Sequence, residues 1–328
     1  MTATGDSPIT VGPPPPYDRE LAELAGMIGP MSHGFRDDLA GARAMFTDYT
    51  STDEQLSRGG TFNIERRAVP GPEGQPDITL LIARPTAVTG PMPVIYMIHG
   101  GGMIMGDITT GLDYTLGYAE ELSAAAVSVE YRLAPESPHP APVEDCYAGL
   151  VWTVEHAEEL GFDADRVIVS GGSAGGGLCA ATVLLARDRG GPAVFGQLMN
   201  CPMLDDRNET GSSRQLAGLG VWDHDDNEFG WNALLGDARG MDGVSQYAAP
   251  ARAEDLSGLP PTFIDVGSAE TFRDEAVDYA SRIWAAGGSA ELHVWPGAFH
   301  GFTGMAPGSA IALDAREAPL RWLQRLST

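Results

Sequence analysis

The chain has 328 residues, enough to bury a large core, and its 45 acidic against 20 basic side chains give a formal net charge of −25. That balance excludes nucleic acid as a partner, since phosphates need Lys/Arg neutralisation, and it disfavours anionic membrane surfaces. No apolar run reaches the roughly eighteen residues of a spanning helix, so no membrane insertion is expected.

Residues 1–16 are polar and proline-rich, without the basic start and apolar core of a signal peptide. The first eleven or so are expected to be disordered, because Gly12-Pro13-Pro14-Pro15-Pro16 cannot extend a helix. Residues 17–53 read as helical and polar. Strands are then expected at 62–69 and 78–84, with the turn Gly71-Pro72-Glu73-Gly74 between them. Further strands follow at 93–98, 124–130, 166–170, 194–200, 262–267 and 290–295. Helical stretches intervene, including 142–160 with Val143, Tyr147, Leu150, Val151 and Val154 on one face. Eight strands alternating with helices predict an α/β class fold with a mostly parallel, doubly wound sheet. Residues 204–256, rich in Asp, Gly and Trp, break the alternation. The expected organisation is an N-terminal cap segment (1–60), a first core part (61–203), a cap insertion (204–256) and a second core part (257–328). No internal repeat is present.

The most informative segment is Gly171-Gly172-Ser173-Ala174-Gly175, a G-x-S-x-G pattern between an apolar run and an Ala/Leu-rich stretch. Strand, sharp turn and helix in that order push a serine out of the backbone, and glycine flanks it because larger residues clash. The N–H groups opening the helix favour negative charge at the same spot. Alone the pattern is weak in a chain with 42 glycines, so it needs partners. The first is His99-Gly100-Gly101-Gly102, a glycine run after a strand that presents bare N–H groups. In acyl transfer the carbonyl oxygen becomes an oxyanion, and losing one preorganised donor typically costs about 2.7–4 kcal/mol of barrier. Gly101, Gly102 and Ala174 are the candidate donors. A phosphate loop would instead read G-x-G-x-x-G or end in Gly-Lys-Ser/Thr, and neither is present. His99 itself is expected to brace the loop.

The second partner is His300, in Pro296-Gly297-Ala298-Phe299-His300-Gly301-Phe302, on a loop after a strand. An imidazole there can stand over a serine from another strand end and take its proton. The other six histidines fall in acidic, proline-rich, helical or in-strand contexts or, for His99, before the glycine run. The third partner is an acid to orient the histidine. Glu270 lies on the loop after the strand at 262–267, with Asp274 in the following helix and Asp265 inside the strand as alternatives. The chain order Ser173, Glu270, His300 is nucleophile, acid, base.

These residues carry a family resemblance. Ile98-His99-Gly100-Gly101-Gly102, residues 129–136 (Val-Glu-Tyr-Arg-Leu-Ala-Pro-Glu), Gly171 to Gly176, Arg273-Asp274-Glu275 and His300-Gly301-Phe302 match, in order and spacing, the hormone-sensitive-lipase-like α/β-hydrolases. The resemblance covers about residues 63–328. It implies an α/β-hydrolase fold with a helical cap and a serine carboxylesterase that hydrolyses short- to medium-chain esters through an acyl-enzyme, without cofactor. Two positions depart from the family pattern. Gly172 stands where an acid often precedes the serine. Glu270-Thr271 stands where aspartate-proline is usual. The loop at 132–136 is expected to buttress the oxyanion loop through Arg132 and Glu136.

Met103, Ile104, Met105, Trp222, Phe229 and Trp231 are read together as an apolar pocket suited to an uncharged ester. Plant gibberellin receptors look like this family but lack the base, whereas His300 is present here. Amide deacetylation, lactone opening or a lyase step would use the same centre. Cys146, Cys179 and Cys201 are well separated, which suits small buried residues in a reducing, cytoplasmic compartment. No spacing of metal ligands is evident, and no metal is expected. A small-molecule ester is the expected partner, and a homodimer is left open.

Overall fold

The computed structural model describes residues 11–47 and 50–327. The disorder expected at the start of the chain concerns residues 1–10, which lie outside the described residues. Eight strands form one sheet: β1 Phe62–Val69, β2 Ile78–Pro85, β3 Met92–Ile98, β4 Ala125–Glu130, β5 Phe162–Gly172, β6 Gly196–Asn200, β7 Thr262–Gly267 and β8 Ala290–Trp295. Their order is β1-β2-β4-β3-β5-β6-β7-β8. β2 runs antiparallel to both β1 and β4, and every other pairing is parallel. The mostly parallel α/β sheet read from the alternation of elements is therefore present.

A parallel sheet is covered on both faces, so its strands read as continuous apolar runs while successive side chains alternate between faces. Leu80, Ile82, Val94, Tyr96 and Ile98 join the main core on one face. Leu81, Ala83, Ile95 and Met97 pack on the other against Leu112, Leu116 and Ala119 of the helix Leu112–Leu122. The helix Ala174–Arg189 sits at the centre, buried continuously from Ala174 to Ala186. It approaches the strand ends closely: a Cβ at Gly175 would stand 2.1 Å from the carbonyl oxygen of Ile98.

Three local expectations need correction. The helix read over 142–160 is Ala141–Glu155 followed by the separate turn Ala157–Leu160. It breaks at His156, whose ring stacks on Trp152 at 4.1 Å. Its buried stripe runs through Val143, Cys146, Gly149, Leu150 and Thr153, while Tyr147, Val151 and Val154 are only half-buried. β5 starts at Phe162, four residues before the apolar run, because Phe162 pairs with Met92 on β3. Residues 17–53 hold the helices Ala22–Ser32 and Leu39–Thr47, and 204–256 hold Gly211–Gln215 and His224–Leu235. The two segments meet where Phe35 stacks on Trp222 at 5.4 Å and meets Phe229 edge-on at 5.7 Å.

Candidate active site

Ser173 ends the turn after β5 with φ +57° and ψ −125°. A non-glycine residue held at positive φ costs of order 1–3 kcal/mol and persists only where its surroundings fix it. Here its N–H donates to the carbonyl of Asn200 at 2.8 Å, and its own carbonyl accepts from Met203 at 3.0 Å. The chain leaving β6 thus clamps the turn from both sides. Ser173 is also the residue before the first turn of the Ala174–Arg189 helix, whose opening N–H groups have no partner within the helix.

The hydroxyl of Ser173 lies 3.0 Å from Nε2 of His300, and Nδ1 of that ring lies 3.1 Å from Oε1 of Glu270. The His300 side chain is 12% exposed and that of Glu270 only 1%. The other carboxylate oxygen of Glu270 accepts the Gly267 N–H at 2.9 Å. Phe272 meets the imidazole edge-on at 5.2 Å. The loop that carries His300 is stitched to the loop that carries Glu270. Ser268 N–H donates to the Trp295 carbonyl at 2.8 Å, Ala269 N–H to that of Ala298 at 3.0 Å, and Gly297 N–H to the Ser268 hydroxyl at 2.7 Å.

The alternative acids are occupied elsewhere. Asp265 accepts from Asn200 Nδ2 at 2.8 Å and from Trp295 Nε1 at 2.9 Å, and burial pushes its carboxyl up to about 6. Asp274 accepts from the Ser212 N–H at 2.7 Å and from Arg273 Nε at 2.7 Å.

The glycine run turns sharply after β3. Gly101 has φ +112° and Gly102 φ +62°, and the Gly101 carbonyl accepts from both Ile104 and Met105 at 3.0 Å. Among the described residues, no hydrogen bond takes the N–H of Gly101 or Gly102. His99 braces this loop as expected: its ring stacks on Tyr131 at 4.1 Å and its Nδ1 donates to Gly100 O at 2.8 Å. Burial lowers the His99 imidazole to about 4.

The buttress from 132–136 differs from expectation. Arg132 does not reach the glycine loop; it forks onto buried Asp145 at 2.8 Å through both Nε and Nη2. The brace comes from Arg43, which the sequence reading missed. Its Nε donates to the Ile104 carbonyl at 2.7 Å, Nη2 to that of Ala134 at 2.8 Å, and Nη1 to Glu136 at 2.7 Å. Glu136, held well down to about 2 by this guanidinium, therefore acts through Arg43.

Of the apolar residues, Met103, Ile104, Met105 and Trp231 are buried in the main core. Trp222 stands directly against Gly102: a Cβ there would lie 2.3 Å from Trp222 Cη2. Phe35, adjoining Trp222, was also missed, since an isolated phenylalanine in a polar helical segment carries no motif.

A strand-turn-helix serine hydrogen-bonded to histidine and, through it, to a buried carboxylate is the arrangement that serine hydrolases use, here at the strand ends of an α/β sheet. The sequence matches the alpha/beta hydrolase fold family over residues 95–304, and the chain belongs to its hormone-sensitive-lipase-like branch. It is 35% identical over 298 residues to "Carboxylesterase NlhH" of Mycobacterium tuberculosis, covering 90% of this chain and 92% of that protein. Among solved structures, a bacterial heroin esterase superposes with a TM-score of 0.88 at 38% identity, covering 94% of this chain and 98% of the other. A hyperthermophilic esterase from the archaeon Pyrobaculum calidifontis superposes with a TM-score of 0.83 at 27% identity, covering 95% and 99%.

Proposed function

We propose that this protein is a carboxylesterase that hydrolyses short- to medium-chain apolar esters through an acyl-enzyme on Ser173. The observation that carries the reading is the unbroken hydrogen-bonded line from Ser173 Oγ through His300 to Glu270, at 3.0 and 3.1 Å. Its relatives named as carboxylesterases and esterases support the reaction class.

In the first half-reaction His300 Nε2 takes the Ser173 proton as Oγ bonds to the ester carbonyl carbon. The resulting oxyanion receives the N–H groups of Gly101, Gly102 and Ala174. His300 then gives the proton to the departing alkoxide, which leaves as the alcohol. A water repeats the sequence on the acyl-enzyme, and the acid product leaves. Glu270 holds Nδ1 protonated, which keeps Nε2 free to accept, and it stabilises the imidazolium formed in each half.

The described residues before 61, together with 204–256, form the cap in this reading, with Phe35, Trp222 and Phe229 making the apolar wall beside the glycine loop. An apolar wall next to the oxyanion donors suits an uncharged acyl or alkyl group. Among the described residues no helix is long and apolar enough to cross a membrane. A cytoplasmic setting is supported by three cysteines with no disulfide between them.

The test is a panel of p-nitrophenyl esters from acetate to palmitate, with an amide and a lactone added. A sulfonyl fluoride should label Ser173 and stop turnover, EDTA should leave turnover intact, and Ser173→Ala should be inactive. Full activity in Ser173→Ala, or the best turnover on palmitate or emulsified triglyceride, would overturn the proposal.

A further inference from the structure

Ester hydrolysis leaves one donor at the centre unused. Cys201 follows β6 in the turn before Pro202, with φ +38°. One ligand atom each from Cys201, Glu270 and His300 lie within 4.8 Å of one another. Of the two imidazole nitrogens, Nδ1 faces Glu270 and Nε2 faces Ser173, which makes Nδ1 the nitrogen that shares the site with the carboxylate.

We propose that Cys201, Glu270 and His300 form an inhibitory site for a thiophilic divalent ion of the zinc group. The inhibition rests on the catalytic reading above; the binding does not. One sulfur, one imidazole nitrogen and one carboxylate oxygen are donors that zinc takes readily, with a fourth position left for water. A tetrahedral zinc ion holds such atoms roughly 3.3–3.7 Å apart. Nδ1 and Oε1 stand 3.1 Å apart in a hydrogen bond, so Oε1 must swing off the Nδ1 axis, and the thiol must approach, for the ion to enter between them. Oε2 is fixed by the Gly267 N–H at 2.9 Å, which leaves Oε1 as the ligand oxygen. Cys201 and His300 each keep part of their surface exposed, whereas Cys146 and Cys179 are fully buried in the core. Burial of the Cys201 thiol, with the Glu270 and Asp265 carboxylates near it, raises it well above the usual thiol range, so the ion must displace a firmly held proton.

The proton balance makes the site inhibitory. The ion displaces the thiol proton, which goes to solvent. It takes the lone pair of Nδ1, and the ring proton moves to Nε2. An imidazole that carries its proton on Nε2 cannot accept one from Ser173. Three ligands so distant in the chain have no sequence spacing to betray them, which is why no metal site was read there. A second close group, His224, Asp225 and Glu228, has no sulfur, and its acids are engaged by Arg36 and Arg239.

Cadmium and zinc titrations of the purified protein test the site, with magnesium as the hard-ion control. Micromolar cadmium or zinc should suppress ester hydrolysis, EDTA should restore it, and magnesium should do nothing. Cadmium should also raise the ultraviolet thiolate-to-metal charge-transfer band, in wild type and equally in inactive Ser173→Ala. That readout keeps the metal site distinct from the esterase reading. Cys201→Ala should retain basal hydrolysis, lose the band and need at least about tenfold more metal for inhibition. Should circular dichroism show Cys201→Ala unfolded, Cys201→Ser carries the same test. A wild-type protein without the band, or a folded Cys201 variant that keeps both band and inhibition, would overturn the proposal.

Discussion

The indole of Trp222 occupies the space that a side chain at position 102 would need, with Cη2 only 2.3 Å from where a Gly102 Cβ would stand. Trp222 is in turn held from the acid loop, since the Thr271 hydroxyl donates to its carbonyl at 2.6 Å. Its other side stacks on Phe35 from the N-terminal segment. One residue of the 204–256 segment therefore ties together the glycine loop, the loop of Glu270 and the segment before β1. Thr271, at one of the two positions that depart from the expected family pattern, supplies the hydroxyl that makes one of these links.

Gly102→Ala should disable the enzyme without unfolding it. The new methyl meets the indole, and the residue sits at φ +62°, where a side chain adds strain. The loop must shift, which misaims the proposed oxyanion donors. Turnover should fall about 10²–10³-fold, the usual scale for losing one such donor. Steady-state kinetics with a thermal melt as control check this. Near-normal turnover would move the oxyanion donors away from Gly102.

Trp222→Ala should shift acyl preference toward longer chains. Removing the indole opens room beside the glycine loop, and each additional methylene buried there contributes about 0.8 kcal/mol. The p-nitrophenyl series should then peak at a longer acyl chain than in wild type. An unchanged profile would mean that the acyl chain runs elsewhere and that Trp222 only supports the loop.

Stability should fall on acidification through a window set partly by His99. Its imidazole stays neutral in the folded protein down to about 4, because burial disfavours the charged ring, against 6.5 for the free side chain. Between these values the unfolded chain binds the extra proton and the native state does not. Stability is therefore lost as pH drops from 6.5 toward 4, by an amount of order 3 kcal/mol when complete. His99→Asn, whose amide can still donate to Gly100, removes the titrating group. Urea unfolding at neutral pH and at about pH 5 should show a smaller loss in the variant. Equal losses in both proteins would assign the acid sensitivity to other groups.

The sheet was legible because its central strands are mostly apolar, fully so along β3, and each is closed by a turn. Ser173, Glu270 and His300 were legible because the chemistry demands particular residue types at strand ends in a fixed order. What stayed hidden depends on partners distant in the chain. Arg43 meets the Ile104 carbonyl across 61 positions, and nothing around an arginine in a polar helical segment announces that bond. Arg132 was assigned to the wrong partner because Asp145, fully buried, lies on a helix stripe that the apolar pattern alone had put elsewhere. β5 gained its first residues from pairing with Met92, although Asp163 and Asp165 look like loop residues. Cys201 reads as an ordinary small buried residue until β6 and β7 bring it beside His300.

The acid beside His300 is the most discriminating position to mutate. Glu270 meets Nδ1 at 3.1 Å, while both oxygens of Asp265 go to Asn200 and Trp295, and Asp274 is bound to Ser212 and Arg273 at the start of the helix Arg273–Ala285. Loss of the orienting carboxylate lets the ring adopt the wrong tautomer and leaves the imidazolium unsupported. Glu270→Gln should therefore lose about 10³–10⁴-fold in kcat with little change in KM. The same variant should fold, because an amide oxygen can still accept the Gly267 N–H. Glu270→Asp sets the carboxylate back by one methylene and should keep partial activity. Asp274→Asn keeps an acceptor for the Ser212 N–H but loses the ion pair with Arg273 and a charge near a helix N-terminus, each worth about 0.3–1 kcal/mol of stability, and should turn over nearly normally. Kinetics and chemical denaturation of the three variants separate these effects. A severe kcat loss in Asp274→Asn alongside a near-normal Glu270→Gln would transfer the orienting role to Asp274.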